Sequence, residues 1–246
     1  MTGKVIAITG ANGGLGRALA QRFASEGEKV VLLGRSLEKV GEVASAIGGD
    51  ALAVACDVTS PESVKAAFAT IAETHPRIDV LINNAAIFQP FLIEEASDAQ
   101  LMNGVLTNFL GPILCSRSAI PLMGKGGMII NVSSESIDLP FAHLLIYQST
   151  KAGLEYFSIG LQAELADRDI RTCIVRAGQM MGPGSSAEMD PVAGARFFEA
   201  TVKRGLNPME RGISQYASAT QVFRNVIDLP ADLHVGRINF QAVIPG

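Results

Sequence analysis

The chain has 246 residues, and 20 Lys and Arg residues against 24 Asp and Glu residues give it a formal net charge of −4. This mildly acidic balance argues against a broad basic face for nucleic acid, so we expect no nucleic-acid partner. Apolar residues make up 48% of the sequence, enough for a single domain over residues 1–246 to be stable without a disulfide or a metal ion.

The cysteines and the N-terminus indicate a cytoplasmic protein. Cys56, Cys115 and Cys173 are far apart within apolar runs, which is typical of small buried side chains in a reducing compartment. No Cys, His and carboxylate spacing resembles a metal site. The N-terminal apolar stretch is too short for a signal sequence, and no uninterrupted apolar run approaches the ~18 residues of a membrane span. We therefore expect no membrane partner.

Short apolar runs rich in β-branched residues alternate with segments whose apolar residues recur at helical spacing. The runs predict strands at 5–8, 30–33, 52–55, 80–82, 128–132, 172–175 and 238–243. The intervening segments predict helices at 15–25, 37–46, 61–73, 99–123, 147–167 and 191–202. This alternation predicts an α/β fold, a doubly wound parallel sheet of about seven strands with helices on both faces. The looser residues 178–190 interrupt it, and we expect a loop and helix around 178–205 to cover a site.

A glycine-rich segment connects the first predicted strand to the first predicted helix. Residues 9–16 read Thr-Gly-Ala-Asn-Gly-Gly-Leu-Gly. Glycine lets backbone N–H groups approach a pyrophosphate, and the N-terminus of the following helix adds donors and a favourable dipole. The segment therefore predicts a dinucleotide phosphate site, the alternative being a tight turn without a ligand. Its candidate residues are Gly10, Asn12, Gly13, Gly14, Leu15 and Gly16.

The end of the second predicted strand indicates which dinucleotide binds. It lacks the acidic residue that usually accepts hydrogen bonds from the NAD ribose, and carries Arg35 and Ser36 instead. The forked donors of a guanidinium suit a 2′-phosphate, so NADP(H) is favoured over NAD(H), unless Arg35 is simply a solvated surface residue. Asp57, after the third strand, could accept a hydrogen bond from the adenine amino group or cap the helix that begins at Pro61.

Three residues form a candidate catalytic set. Tyr147 and Lys151 are four residues apart at the start of a long predicted helix, so they share one face of it. Ser134 follows the fifth predicted strand, and ligands of open α/β sheets bind at that carboxyl edge. Each residue also has a non-catalytic interpretation when it is taken alone: Tyr147 as a surface residue at a helix start, Lys151 as an exposed charge and Ser134 as a helix cap.

With these motifs, Asn84-Ala85 after the fourth strand and Asn108 in a long helix, the sequence resembles the short-chain dehydrogenase/reductase family over essentially its whole length. The resemblance implies a Rossmann-type fold and interconversion of a carbonyl and an alcohol. It implies that Tyr147 is the acid/base and that Lys151 lowers its pKa and holds the nicotinamide ribose. It also implies that Ser134 orients the carbonyl and that Asn108 anchors a water joining lysine to solvent. The further cofactor contacts that it implies are Val58, Asn84, Ala85, Ala86, Ala177 and Gly178.

Elementary chemistry agrees with these roles. Carbonyl reduction needs a hydride and a proton at the developing alkoxide. An unperturbed tyrosine, with a pKa of ~10, is a poor base at neutral pH. A nearby cation, such as Lys151 together with an oxidised nicotinamide ring, favours the phenolate.

The sequence departs from the family after the fourth strand, after the sixth strand and at the C-terminus, which lacks the family's usual Asp-Gly-Gly ending. Ala86 replaces a glycine, which costs about 1 kcal/mol if the position requires a positive φ. Ala177 replaces the proline of a Pro-Gly pair, and Gly182 stands where a cofactor-binding threonine is common. Ser185 or Ser186 is a candidate to compensate.

The segments that border the substrate in this family are largely apolar here, which predicts a small hydrophobic or aromatic carbonyl or alcohol. The candidate wall residues are Ile87, Phe88, Phe91, Ile93, Leu139, Phe141, Leu144, Leu145, Met180 and Met181. The sequence thus predicts an NADP(H)-dependent oxidoreductase, with a catalytically silent NADP(H)-binding regulatory relative as the alternative. By resemblance we expect a homo-oligomer, a tetramer or a dimer, with helices 99–123 and 147–167 between subunits.

Overall fold

The computed structural model describes residues 3–183 and 189–244, so Ser185 and Ser186 lie outside the described residues. Within these ranges seven strands form one parallel sheet: β1 (Val5–Thr9), β2 (Lys29–Gly34), β3 (Leu52–Ala55), β4 (Val80–Asn83), β5 (Met128–Ser134), β6 (Arg171–Ala177) and β9 (Arg237–Phe240). Their order is β3-β2-β1-β4-β5-β6-β9. The order reverses between β1 and β4, and ligands bind at such a reversal in open α/β sheets. The predicted fold class is therefore confirmed.

The strands are nearly continuous apolar runs because both faces of the sheet are covered. Ile6 and Ile8 belong to one core cluster with α1 (Gly14–Ser25), α2 (Leu37–Ile47) and α8 (Tyr216–Ile227). Val5 and Ala7 belong to a second cluster with α3 (Pro61–Thr74), α5 (Gly111–Ala119) and α6 (Leu145–Leu165). Alternate residues of one strand thus face opposite helical layers, which explains the absence of a polar face.

The predicted helix 99–123 is a chain of short helical forms. It consists of α4 (Asp98–Val105), a π-helical segment (Leu106–Leu110), α5 and a 3₁₀ turn (Ile120–Leu122). By length and composition alone this stretch could cross a membrane, but the buried core helix of a soluble protein passes the same test. Leu114, Cys115 and Ala119 are buried in the second core cluster, so here the apolar composition serves packing on the sheet.

The C-terminal third differs most from the sequence prediction. Helix α8 was not predicted, although its apolar residues recur at helical spacing and Phe223 is fully buried. The last strand ends at Phe240 rather than at residue 243. Residues 178–190 were expected to be a loop, but they contain β7 (Met180–Met181), which pairs in parallel with β8 (Ser214–Gln215). The predicted helix 191–202 is confirmed as α7 (Pro191–Val202).

Candidate active site

The glycine-rich segment forms a cradle between the ends of β1 and β4. The Thr9 hydroxyl accepts hydrogen bonds of 3.0 Å from the backbone N–H groups of both Asn84 and Ala85. Gly10 has a φ of +67°, and a Cβ built there would lie 2.9 Å from the Ala85 Cα. A side chain at position 10 would therefore clash with Ala85, and glycine leaves the backbone of this turn accessible to a ligand.

The first turn of helix α1 has no side-chain cap among the described residues. The N-cap residue is Gly13. The free N–H groups and the dipole of this turn suit an anion. Gly16 has a different function, because a Cβ there would lie 2.4 Å from the Gly10 carbonyl oxygen. It allows α1 to pack closely on the turn, and it lies outside the described lining of the cleft.

A cleft of about 410 Å³ runs along the carboxyl edge of the sheet. It brings together most of the predicted cofactor and catalytic residues: Gly10, Asn12, Gly13, Gly14, Leu15, Arg35, Asp57, Val58, Asn84, Ala85, Ala86, Ser134, Tyr147, Lys151, Ala177 and Gly178. Ser36 and Asn108 are not part of its described lining. The predicted phosphate region and the predicted catalytic set are thus two parts of one site.

Just after β2, Arg35 is exposed and lines the cleft. Ser36 caps α2, since its hydroxyl oxygen accepts a hydrogen bond of 3.2 Å from the Lys39 N–H. Asp57 accepts hydrogen bonds from the backbone and the hydroxyl of Thr59, both through Oδ1. Ser60, not Asp57, caps α3, so the structure does not support capping of that helix by Asp57.

The predicted catalytic side chains converge where α6 crosses the end of β5. The Lys151 ammonium donates a 2.7 Å hydrogen bond to the Val132 carbonyl, and its nitrogen lies 5.8 Å from the centre of the Tyr147 ring. The Ser134 hydroxyl accepts a 3.2 Å hydrogen bond from the Ser136 N–H. Its interaction with the Tyr147 side chain lowers the pKa of that phenol.

Burial acts on the protonation of both Tyr147 and Lys151. Desolvation raises the pKa of Tyr147 above 10.0, and the hydrogen bond with Ser134 opposes this increase. Burial lowers the pKa of Lys151 from 10.5 to about 8. Tyr147 is therefore a neutral phenol, a proton donor, near neutral pH, and the lowering of its pKa by Lys151 together with an oxidised nicotinamide stays a prediction.

Asn108 lies in the π-helical segment and its amide is committed to one backbone unit. It accepts a 2.8 Å hydrogen bond from the Ile87 N–H and donates one of 2.9 Å to the Ile87 carbonyl. The side chain thus anchors the chain after β4 to this helix. The water-anchoring role stays a prediction.

The departures from the family pattern are accommodated without backbone strain. Ala86 lines the cleft, and the non-glycine residues with a positive φ in the ranges 3–183 and 189–244 are His143 and Asp169, so the extra methyl group of Ala86 carries no conformational cost. Gly178 packs on the end of β9, where a Cβ would lie 3.0 Å from the Phe240 carbonyl oxygen. Gly182 packs against Tyr216, whose ring would be 2.8 Å from a Cβ there.

Three aromatic rings, those of Phe88, Phe141 and Phe197, pack in series beside Tyr147, outside the described lining of the cleft. Phe88 contacts Tyr147 edge to face at 5.1 Å between ring centres, and Phe197 of α7 contacts Phe88 at 5.8 Å and Phe141 at 5.7 Å. We call Tyr147, Phe88, Phe197 and Phe141 the aromatic cluster. Phe197 was not among the predicted wall residues, although it lies in the helix expected to cover the site.

The remaining predicted wall residues are not all at the cleft. Ile87 and Met180 line it. Leu144 is buried, and Ile93, Leu145 and Met181 are about half exposed to solvent, at 50%, 54% and 49%. These four residues were predicted from their position in the chain, and their exposure depends on turns that sequence spacing does not determine.

Sequence reasoning also missed several residues that line the cleft, namely Gly34, Cys56, Thr59, Thr107, Val132, Ser133 and Tyr216. Tyr216 begins α8, and its hydroxyl oxygen lies 3.5 Å from the position of a Cβ on Gly14. Ser133 directly precedes Ser134, which was a signal available in the sequence. The position of Tyr216 depends on tertiary contacts alone.

Comparison with known proteins places the chain in a family. The sequence profile described as short chain dehydrogenase matches residues 4–190. The chain is 35% identical to a serine 3-dehydrogenase from Rhizobium radiobacter over 182 residues, 72% of each protein. It superposes on a short-chain dehydrogenase from Streptomyces avermitilis with a TM-score of 0.84 and 28% identity, covering 97% of this chain and 88% of that one. A 3-ketoacyl-(acyl-carrier-protein) reductase from Brucella melitensis, complexed with NADH, gives a TM-score of 0.81 and 26% identity over 96% of both chains. The chain belongs to the short-chain dehydrogenase family of oxidoreductases.

Proposed function

We propose that this chain is an NADP(H)-dependent oxidoreductase that interconverts a carbonyl and a secondary alcohol on a small, largely apolar substrate. The observation that carries the proposal is the convergence of Ser134, Tyr147 and Lys151 in the same cleft as the glycine cradle. The relatives support it, since one is named a serine dehydrogenase and another a ketoacyl reductase.

The cradle fits a dinucleotide by its own geometry. The uncapped first turn of α1 offers N–H donors to a pyrophosphate, and the positive φ of Gly10 and Gly14 keeps the approach free of side chains. Arg35 would hold a 2′-phosphate, and Asp57 would accept a hydrogen bond from the adenine. The Brucella reductase binds NADH, so the argument for NADP(H) rests on Arg35.

The catalytic groups act on a carbonyl held beside Tyr147. A bound nicotinamide supplies the hydride in reduction and accepts it in oxidation. In the reduction direction the Tyr147 phenol, which is neutral near neutral pH and whose pKa burial raises further, gives its proton to the developing alkoxide. The Ser134 hydroxyl donates a hydrogen bond to the same oxygen. Lys151, protonated at neutral pH, carries the positive charge that favours the phenolate left behind.

The aromatic cluster supports an apolar substrate. Phe88 and Phe197 form a wall beside the Tyr147 ring. Aromatic and aliphatic groups gain from contact with such a wall because both surfaces lose water.

A cofactor titration and a substrate panel test the proposal. NADPH and NADH are titrated by fluorescence into the wild-type protein and into Arg35→Ala, where we expect NADPH affinity to fall about tenfold and NADH affinity to stay within twofold. NADPH oxidation is then followed with apolar aldehydes and ketones in the wild type and in Tyr147→Phe. Equal, slow rates for both proteins, with normal binding, would favour the catalytically silent regulatory relative.

The expected assembly and location belong to the same proposal. Tyr156 and Ile159 of α6 are 80% and 61% exposed, and a groove lined by Phe109, Phe157 and Leu161 lies beside them. Apolar exposure of this extent supports a homo-oligomer that packs through α6 and the α4–α5 stretch. Light scattering after gel filtration tests this. The cysteines are free and buried, which supports a cytoplasmic location.

A further inference from the structure

Three consecutive residues at the end of β5 are bonded to three side chains on one face of α6. The Val132 carbonyl accepts from Lys151 at 2.7 Å, and the Ser133 hydroxyl donates to Glu155 Oε1 at 2.6 Å. The Ser134 side chain interacts with that of Tyr147. Residues 147, 151 and 155 are spaced by four, so they lie one above another along the helix. Glu155 is the member of this series to which the proposed reaction assigns no role.

A second strand holds Glu155 in place. Arg176 of β6 is the register partner of Ser133 in the sheet. Its guanidinium donates two hydrogen bonds to the Glu155 carboxylate, from Nε to Oε1 at 2.8 Å and from Nη2 to Oε2 at 2.7 Å. Both side chains are only 9% exposed. Asp138 contacts the same guanidinium, and Arg237 lies 3.6 Å from Glu155 Oε2.

Stability alone does not account for this arrangement. Bringing two charges into the interior costs desolvation that their attraction often only offsets, and well-packed apolar residues frequently serve equally well. A bidentate pair does fix direction, because both hydrogen bonds must be aligned at once. Here the pair fixes the orientation of the Glu155 carboxylate, whose Oε1 accepts the hydrogen bond from the Ser133 hydroxyl.

We propose that Glu155 is a positioning residue that, held by Arg176, sets the end of β5 through Ser133 and so places the Ser134 hydroxyl against Tyr147. The inference rests on the proposed function. It also predicts local order at the end of β5 that can be measured without turnover.

The test compares four variants. Ser133→Ala and Glu155→Leu remove the link from either end, and Glu155→Gln keeps an oxygen acceptor for Ser133. The double variant Glu155→Leu/Arg176→Met replaces the buried pair with apolar side chains. The matched control is Glu28→Gln, which breaks a comparably buried pair, Glu28–Arg224, outside the described lining of the cleft.

Melting temperature, the dissociation constant of NADPH, kcat and amide hydrogen exchange of a peptide spanning residues 130–138 are measured for each. We expect Ser133→Ala to lower kcat about tenfold, because small misplacements of catalytic groups are costly, with NADPH affinity within twofold and only the modest loss of melting temperature that goes with one buried hydrogen bond. Glu155→Gln should retain more of kcat than Glu155→Leu. The double variant should restore the melting temperature that Glu155→Leu loses. It should restore neither the wild-type kcat nor the slow wild-type hydrogen exchange of residues 130–138. The control Glu28→Gln should lose stability but keep its kcat and its exchange at 130–138.

Recovery of kcat together with melting temperature in the double variant would overturn the proposal, since the pair would then only support the fold. So would unchanged exchange at 130–138 in both Ser133→Ala and Glu155→Leu. If the wild type shows no turnover on any carbonyl, the proposed function fails, whereas the exchange data still decide whether Glu155 orders this strand end.

Discussion

Replacing Lys151 with methionine should stabilise the protein near neutral pH while removing its activity. The ammonium lies in a buried position, and burial lowers its pKa from 10.5 to about 8. The folded protein therefore binds this proton more weakly than the unfolded chain does. The buried charged lysine therefore lowers the free energy of unfolding.

The magnitude follows from the two pKa values. Below about pH 8 the lysine is charged in both states, and at about 1.4 kcal/mol per pH unit the folded state carries a penalty of about 3 kcal/mol. The penalty shrinks as the pH rises through the interval from 8 to 10.5 and vanishes above it. Methionine also leaves the Val132 carbonyl without its donor, which costs about 1 kcal/mol. The net gain is about 2 kcal/mol at neutral pH.

Equilibrium urea unfolding at about pH 7 and about pH 9.5 measures this effect. Lys151→Met should be more stable than the wild type at the lower pH, and the difference should fall by more than half at the higher pH. Lys65→Met, an exposed lysine of α3, is the control and should change stability little at either pH. A Lys151→Met protein that is less stable than the wild type at neutral pH, or whose gain does not depend on pH, would refute the reasoning.

Tyr216→Phe removes a hydroxyl near Gly14 at the phosphate end of the cleft, so the dissociation constant of NADPH should rise about tenfold, as for a lost hydrogen bond to a charged group. The control Tyr156→Phe, exposed on α6, should leave that dissociation constant unchanged. Equal NADPH affinities in the two variants would contradict the placement of the Tyr216 hydroxyl at the phosphate site. Phe197→Ala opens the aromatic cluster, so KM for an apolar ketone should rise about tenfold while NADPH affinity stays the same. Phe198→Ala, at an exposed neighbouring position, is the control. An unaltered KM in Phe197→Ala would show that α7 does not contact the substrate.

Most of the sheet could be predicted because each strand is a local pattern. A strand covered on both faces is a continuous apolar run, and a parallel sheet brings the carboxyl ends of its strands to one edge. Residues that follow strand ends, such as Ser134, Asp57 and Asn84, could therefore be assigned to one cleft before any distance was known. The residues 147 and 151 shared a face for the equally local reason that a helix has 3.6 residues per turn.

What could not be predicted depends on contacts between distant segments. Tyr216 reaches the glycine cradle only because α8 packs on α1. Glu155 and Arg176 meet Ser133 only because β6 pairs with β5 in one particular register. Burial raises the pKa of Tyr147, a contribution that the sequence did not indicate. Desolvation depends on the full enclosure of a group, which spacing along the chain does not reveal.

The uncapped start of α1 makes the lifetime of the folded protein depend on the supply of its ligand. The first turn lacks a side-chain acceptor among the described residues, so an anion that binds there completes the helix. A ligand present at 100 times its dissociation constant adds about 2.7 kcal/mol to the free energy of unfolding. Resistance of the folded protein to proteolysis should therefore increase with the concentration of the nucleotide that it binds.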